Sequence, residues 1–185
     1  MKGNYDILVI DDEKVVIDSV IKIAQLENYT IDFSFEVNEA LEKLKQNEYQ
    51  LIICDIMLPE IDGFQFINLL QKINEDTPIV MTTGYTTIEN AVKSLYLGAI
   101  DFIPKPFLLD EMLSLLKRGL KYKSLLNQKR NNSTNNIIVS CPSKYFRLGI
   151  SCWANIDNDG SVLIGATNFF IKSVEPINKI ELLEN

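Results

Sequence analysis

The chain has no histidine among its 185 residues. This absence excludes phosphotransfer through a histidine of this chain, Ser-His-Asp or Cys-His catalysis, and zinc sites with histidine ligands. The three cysteines, Cys54, Cys141 and Cys152, are too few for a disulfide framework. We therefore predict that they are buried, unreactive small residues.

Long apolar runs and an excess of positive charge are missing too. No run approaches the roughly 20 apolar residues that a membrane span needs, and the N-terminus shows no signal-peptide pattern, so we expect a cytoplasmic protein without membrane insertion. The formal net charge of −7 argues against nucleic-acid binding. Hydrophobic residues make up 46% of the chain, which is enough to build a sizeable core.

The charges are distributed unevenly. Residues 1–116 carry 8 basic and 20 acidic side chains, whereas residues 117–130 carry 6 basic side chains and no acidic one. This pattern predicts an acidic domain followed by a basic connector. We interpret the connector as the solvated end of a helix, where the helix dipole favours cations, and keep a binding patch as the alternative.

Short apolar runs alternate with helix-length segments in the first part of the chain. The strand-like runs are YDILVI (5–10), TIDFSF (30–35), LIIC (51–54), PIVMTT (78–83) and AIDFI (99–103). The helical segments are 13–27, 38–46, 63–74, 86–97 and one that begins near Leu108. Five strands that each precede a helix predict a doubly wound α/β domain with a five-stranded parallel sheet.

The pattern changes after the polar linker NNSTNN (131–136). The runs IIVS, CWANI, SVLIGA and KIELL favour strands, and NDG (158–160) favours a turn between two of them. We therefore predict a domain at 1–123, a helix extension and linker at 124–136, and a small β module at 137–185. The module shows no helix-turn-helix pattern, so a DNA-reading output is poorly supported.

Polar residues follow four of the predicted strands. Asp11 and Asp12 follow the first strand, Asp55 ends the third, Thr83 ends the fourth, and Lys105 follows the fifth. The carboxyl ends of parallel strands share one rim of a sheet, where such folds bind ligands. Clustered carboxylates repel one another until a hard cation enters, which predicts Mg²⁺ with Mn²⁺ as a substitute. The central carboxylate, that of Asp55, can then accept a phosphoryl group.

Each of these residues also has an ordinary explanation. An Asp-Asp pair at a strand end is commonly a helix cap, Asp55 and the pair Thr83-Gly84 suit turns, and Lys-Pro pairs are common. Their occurrence at four strand ends of one sheet favours a shared site.

Three segments carry a family resemblance: VIDDE (9–13), CDIMLPEIDG (54–63) and TTGYTTIENAVKSLYLGAIDFIPKPF (82–107). Over residues 4–123 the chain resembles the receiver domain of two-component response regulators. The resemblance implies a (βα)5 flavodoxin-like fold in a phosphorelay. It implies phosphorylation of Asp55 by a cognate histidine kinase or phosphotransfer protein.

The same resemblance implies individual roles around Asp55. Asp12, Asp55 and the backbone carbonyl of Met57 would hold Mg²⁺, with Asp11 reaching it through water. Thr83 and Lys105 would bind phosphoryl oxygens. The remaining implied roles are a switch ring at Phe102, a cis peptide bond before Pro106, and positions that tune dephosphorylation at Met57 and Tyr85.

The C-terminal segment from Gly149 to Asn185 more weakly resembles the N-terminal half of the glycine cleavage system H protein. The matching positions are Trp153, Asp159, Gly160, Val162, Ile164, Gly165 and Thr167. Lys172 and Lys179 do not fall at that family's lipoyl position, so no lipoyl group is expected. We predict a truncated module with a structural or docking role, with Trp153 in its core; an unrelated small β domain stays open.

Three functions remain open at this point. The first is a signalling phosphoacceptor, with only self-directed phosphotransfer and autodephosphorylation, that switches a protein–protein interaction surface toward a downstream partner. The second is a DNA-binding transcription regulator, and the third is a phosphorylation-independent scaffold. An apolar seam of Leu109, Leu113, Leu116 and Leu120 permits a phosphorylation-dependent homodimer without requiring it.

Overall fold

The computed structural model describes residues 3–73, 77–85 and 87–131, together with three short strands further on. The strands are β1 (Gly3–Ile10), β2 (Ile31–Ser34), β3 (Asn47–Asp55), β4 (Ile79–Thr83), β5 (Asp101–Pro104), β6 (Phe146–Leu148), β7 (Cys152–Ile156) and β8 (Val162–Ala166). The helices are α1 (Lys14–Gln25), α2 (Val37–Gln46), α3 (Gly63–Ile73), α4 (Ile88–Tyr96) and α5 (Leu109–Asn131).

The first five strands form one parallel sheet in the order β2-β1-β3-β4-β5. This confirms the doubly wound α/β prediction, since helices cover both faces of the sheet. The third strand begins at Asn47, four residues before the predicted run of 51–54. Its first half includes Tyr49, which is buried and donates a 2.7 Å hydrogen bond from its hydroxyl to Asp32 Oδ2.

The core lies in two layers, one on each face of the sheet. Alternate residues of β1, β3 and β4 pack against α1 and α5 on one face and against α2 and α3 on the other. Such strands are buried on both sides, which explains their nearly continuous apolar sequences. Cys54 is fully buried, and burial raises the pKa of its thiol well above the ordinary value, in keeping with the predicted unreactive residue.

Helix α5 corrects the prediction of an apolar seam. Leu116 is fully buried and Leu120 packs against the core beside it, so both face the sheet rather than a second molecule. Of the seam residues, Leu109 is exposed. Even α5 is too polar to cross a bilayer, and no other helix within the described residues is both long and apolar enough to do so.

Beyond α5, the strands β6, β7 and β8 form an antiparallel sheet in that order. Strands β7 and β8 confirm the predicted runs CWANI and SVLIGA, whereas β6 was not predicted. The runs IIVS and KIELL, the NDG turn, Cys141 and the side chain of Trp153 lie outside the described residues.

Candidate functional site

The fold brings the predicted polar residues to one rim of the sheet. Asp11 and Asp12 lie between β1 and α1, Asp55 is the last residue of β3, and Lys105 follows β5. The Lys105–Pro106 peptide bond is cis, as expected. Strand order places β1, β3, β4 and β5 side by side, so the residues that end them are neighbours in space.

Lys105 joins the acidic residues of this rim. Its ammonium lies 2.7 Å from Asp11 Oδ2 and 2.8 Å from Asp55 Oδ2, and the three side chains are nearly inaccessible to solvent. A third carboxylate, that of Glu13, lies 3.3 Å away and is largely exposed. Glu13 was missed as a site residue, although its place beside Asp11 and Asp12 in the sequence was a usable signal.

Burial and charge oppose each other in this cluster. Burial raises the pKa of Asp11 to about 6, although the hydrogen bond from Lys105 acts to lower it. Burial acts to lower the pKa of Lys105, but its hydrogen bonds with Asp11 and Asp55 outweigh this effect and raise that pKa. The lysine is therefore held as a cation, and the site still carries more negative than positive groups.

The same carboxylates suit a divalent cation. Asp11, Asp12 and Asp55 can each offer an oxygen within 4.8 Å of the others; Asp11 and Asp55 are buried and Asp12 is exposed. An all-carboxylate set with one member open to solvent fits Mg²⁺, which keeps several water ligands. The backbone N–H of Met57 donates to Asp55 Oδ1 at 3.2 Å, so the chain after β3 folds back over this carboxylate.

Thr83 is fully buried at the end of β4. Its hydroxyl oxygen accepts a 3.2 Å hydrogen bond from the backbone N–H of Tyr85. Its carbonyl oxygen accepts one from the backbone N–H of Lys105 at 2.8 Å. Thr83 thus fixes the backbone of Lys105, while its predicted contact with a phosphoryl oxygen remains a prediction. Tyr85 and Met57 are 71% and 54% exposed, beside the mouth of the site.

Phe102 lies on β5, two residues before Pro104, and is half-buried. It lines a shallow groove of about 440 Å³ between β5 and α5, whose other walls include Ser114, Leu115 and Arg118. Beside it, Arg118 Nη2 lies 2.6 Å from Asp101 Oδ2. The Phe102 ring therefore faces the groove on one side and packs against the core on the other.

The basic stretch on α5 is partly engaged within the domain. Arg118 pairs with Asp101, and Lys117 Nζ lies 3.1 Å from Glu27 Oε1 on the α1 side. Lys123 is buried. Lys117 and Arg118 thus neutralise acidic side chains of the same domain, and fewer basic side chains of the stretch remain for a separate binding patch.

Three carboxylates and a lysine at the carboxyl ends of the strands define this doubly wound α/β domain as one with a charged ligand site at that edge of its sheet. Residues 7–117 match the family described as the response regulator receiver domain, and the chain belongs to this family. The domain is therefore a signalling domain. The family match ends at residue 117, so the resemblance of the segment from Gly149 to Asn185 to the H protein stays a prediction.

Individual relatives agree with this assignment. The chain is 30% identical over 127 residues to the response regulator MprA of Mycobacterium ulcerans, covering 69% of this chain and 55% of that protein. It is 32% identical over 126 residues to the transcriptional regulatory protein DltR of Streptococcus agalactiae, covering 67% and 56%. The chain thus spans about half the length of these relatives.

A solved structure shows the same fold. The CheY-like response regulator receiver domain protein of Methanospirillum hungatei superposes with a TM-score of 0.61 at 28% identity. The superposition covers 68% of this chain and 99% of that one. The parallel sheet and its helices are therefore the shared part.

Proposed function

We propose that the domain receives a phosphoryl group on Asp55 from a phosphohistidine of a partner histidine kinase or phosphotransfer protein. The observation that carries this proposal is the Lys105 ammonium held between Asp11 and Asp55 in a buried acidic rim. A buried lysine beside a carboxylate at a switch point is suited to hold a phosphoryl oxygen.

In the transfer, an oxygen of the Asp55 carboxylate forms a bond to phosphorus. The bond between phosphorus and the donor's imidazole nitrogen breaks, and the nitrogen keeps the electron pair. Asp55 is well placed as acceptor because the N–H of Met57 and the ammonium of Lys105 orient its two oxygens. Lys105 then offers its charge to a phosphoryl oxygen, and Thr83 offers its hydroxyl to another.

Asp11, Asp12 and Asp55, with the backbone carbonyl of Met57, would hold Mg²⁺. When bound, this cation offsets the negative charge of the carboxylates and of the phosphoryl oxygens. The exposure of Asp12 leaves one side of the cluster open to water and to the donor. Nearly complete burial of Asp11 and Asp55 keeps their charges in a medium where electrostatic effects are strong.

Phosphorylation would be read out at the surface formed by α4, β5 and α5. Phe102 is half-buried, packs against the core and lines a groove on this surface, which leaves space beside the ring for it to move. A change in the Thr83 hydroxyl would be transmitted along β4 to its neighbour β5, whose Phe102 pairs with Met81. The expected output is contact with a downstream protein, with the β module of 137–185 as a docking element.

The test is Mg²⁺-dependent labelling of the full chain by a small acyl phosphate, read by intact mass. We expect one added phosphoryl group on the wild type and none on Asp55→Asn. Asp18→Asn, an exposed change on α1, serves as the matched control and should label normally. Labelling that persists in Asp55→Asn, or a wild type that never labels, would contradict the proposal.

A further inference from the structure

The hydroxyl of Thr82 has no role in the site described so far. Thr82 is 1% exposed, and its Oγ1 has no hydrogen-bond partner among the described residues. One other buried hydroxyl in this part of the chain, that of Thr77, shares this condition. Leaving a buried hydroxyl unpaired is unfavourable, so such a group in a folded domain calls for an explanation.

Strand register places Thr82 beside the acidic rim. In the sheet, Thr82 is paired with Asp55 on β3 and with Ile103 on β5. Paired residues of parallel strands direct their side chains to the same face. Ile103 packs in the core layer that contains α1 and α5, so Thr82 and Asp55 lie on that face.

The arm of Lys105 reaches the rim over this same face. Lys105 is the first residue after β5, and its ammonium contacts Asp55, so its side chain reaches the face on which Thr82 and Asp55 lie. Strand β4 lies between β5 and β3, so the side chain must pass the end of β4 to place its ammonium 2.8 Å from Asp55 Oδ2. Thr82 and Thr83 alternate along β4, so of these two residues it is Thr82 that shares the face of Asp55 and of the Lys105 side chain.

We propose that Thr82 is a positioning residue for Lys105, whose ammonium donates a hydrogen bond to the Thr82 hydroxyl when a phosphoryl group occupies Asp55. This inference rests on the proposed function. In the described state the ammonium is engaged by three carboxylates, those of Asp11, Glu13 and Asp55. Once Asp55 carries the phosphoryl group as an acyl phosphate, its carboxyl group loses its charge and the lysine turns to a phosphoryl oxygen. Thr82 then supplies the partner that holds the lysine in that direction.

The test compares Thr82→Val, which keeps the shape and removes the hydroxyl, with Thr82→Ser, which keeps the hydroxyl. The readout is the concentration of beryllofluoride that half-saturates the full chain in Mg²⁺, followed by NMR of backbone amides. We expect Thr82→Val to raise this concentration about tenfold, the effect of one hydrogen bond to a charged group. Thr82→Ser should return it to within about twofold of the wild type.

Thr77→Val is the matched control, because it removes the other unpaired hydroxyl near the opposite end of β4. It should leave beryllofluoride binding unchanged, and Mg²⁺ affinity without beryllofluoride should be the same in every variant. A Thr82→Val protein that binds like the wild type, or a Thr82→Ser protein as weak as Thr82→Val, overturns the role of Thr82. A wild type that does not bind beryllofluoride overturns the proposed function as well. If Thr82→Val does not fold, Thr82→Ala replaces it in the comparison.

Discussion

The ammonium of Lys93 lies 3.9 Å from the centre of the Phe64 ring, so a charge on α4 rests on the first turn of α3. Phe64 is almost buried. Such a contact is worth about 0.5 to 1 kcal/mol at an accessible site. It ties the helix that follows Thr83 to the helix that follows Asp55.

A double-mutant cycle measures this contact. We expect Lys93→Met and Phe64→Leu to show a coupling free energy of about 0.5 to 1 kcal/mol in urea unfolding, because each change removes the same cation–ring contact. Lys22→Met, on the exposed surface of α1, should show no coupling with Phe64→Leu. Additive effects of Lys93→Met and Phe64→Leu would refute the contact.

Gly63 has no room for a side chain. A methyl group there would lie 2.3 Å from the backbone oxygen of Asp55 and 2.9 Å from the Cα of Ile56. Since both neighbours are backbone, Gly63→Ala should cost about 2 kcal/mol or more in the free energy of unfolding and displace Asp55, which lowers labelling. Gly84→Ala, where a Cβ meets nothing within 4 Å, should change stability by less than about 0.5 kcal/mol. Equal stabilities of the two variants in urea would contradict this geometry.

The raised pKa of Asp11 makes stability depend on pH. The folded value of about 6 exceeds the ordinary value of 3.8, so the folded protein binds the proton more tightly than the unfolded chain. Proton binding by Asp11 therefore stabilises the folded state below pH 4, and this stabilisation is lost as the pH rises through 6. Allowing for solvent screening, we expect a loss of roughly 1 to 2 kcal/mol.

Urea unfolding from pH 4 to pH 7.5 in EDTA measures this loss. The pH-dependent loss of stability should be absent from Asp11→Asn. Saturating Mg²⁺ should also abolish it in the wild type, because the cation favours the charged carboxylate. If the difference in unfolding free energy between the wild type and Asp11→Asn stayed constant from pH 4 to pH 7.5, the raised pKa of Asp11 would be contradicted.

Removal of the Lys105 ammonium should make the stability of the domain depend on Mg²⁺. Lys105→Met leaves Asp11 and Asp55 buried without their partner, which should cost about 2 to 4 kcal/mol in EDTA. Mg²⁺ should then stabilise this variant more than the wild type, since no ammonium competes for the carboxylates. Thermal unfolding with and without Mg²⁺ checks this. Lys45→Met, which breaks an exposed pair with Glu42, should change little in either buffer.

The parallel sheet and most of the rim could be predicted from sequence because their signals are local. Buried strands have continuous apolar runs, and the polar residues that end them stand out, as at Asp55. The first half of β3 was missed since Glu48 and Gln50 break its apolar pattern while only Tyr49 is fully buried. The leucine seam of α5 was misassigned because spacing alone does not say which neighbour covers it.

Other features depend on geometry that the sequence does not carry. The contact of Glu13 with Lys105 joins residues that are 92 positions apart, so the run of acidic residues could mark Glu13 but could not identify its partner. The unpaired hydroxyl of Thr82 follows from register between β3, β4 and β5. Thr82 and Thr83 look equivalent in the sequence, and only the alternation of the strand separates their faces.

Helix α5 continues for eight residues after Lys123, the last of its side chains that the structure describes as buried, to Asn131. At 1.5 Å per residue this is a rod of roughly 12 Å. A pivot of about 10° at the domain surface would move its tip by about 2 Å, on the scale of an atomic diameter. A small change in the packing beneath α5 would therefore produce a larger displacement at Asn131, from which the chain continues.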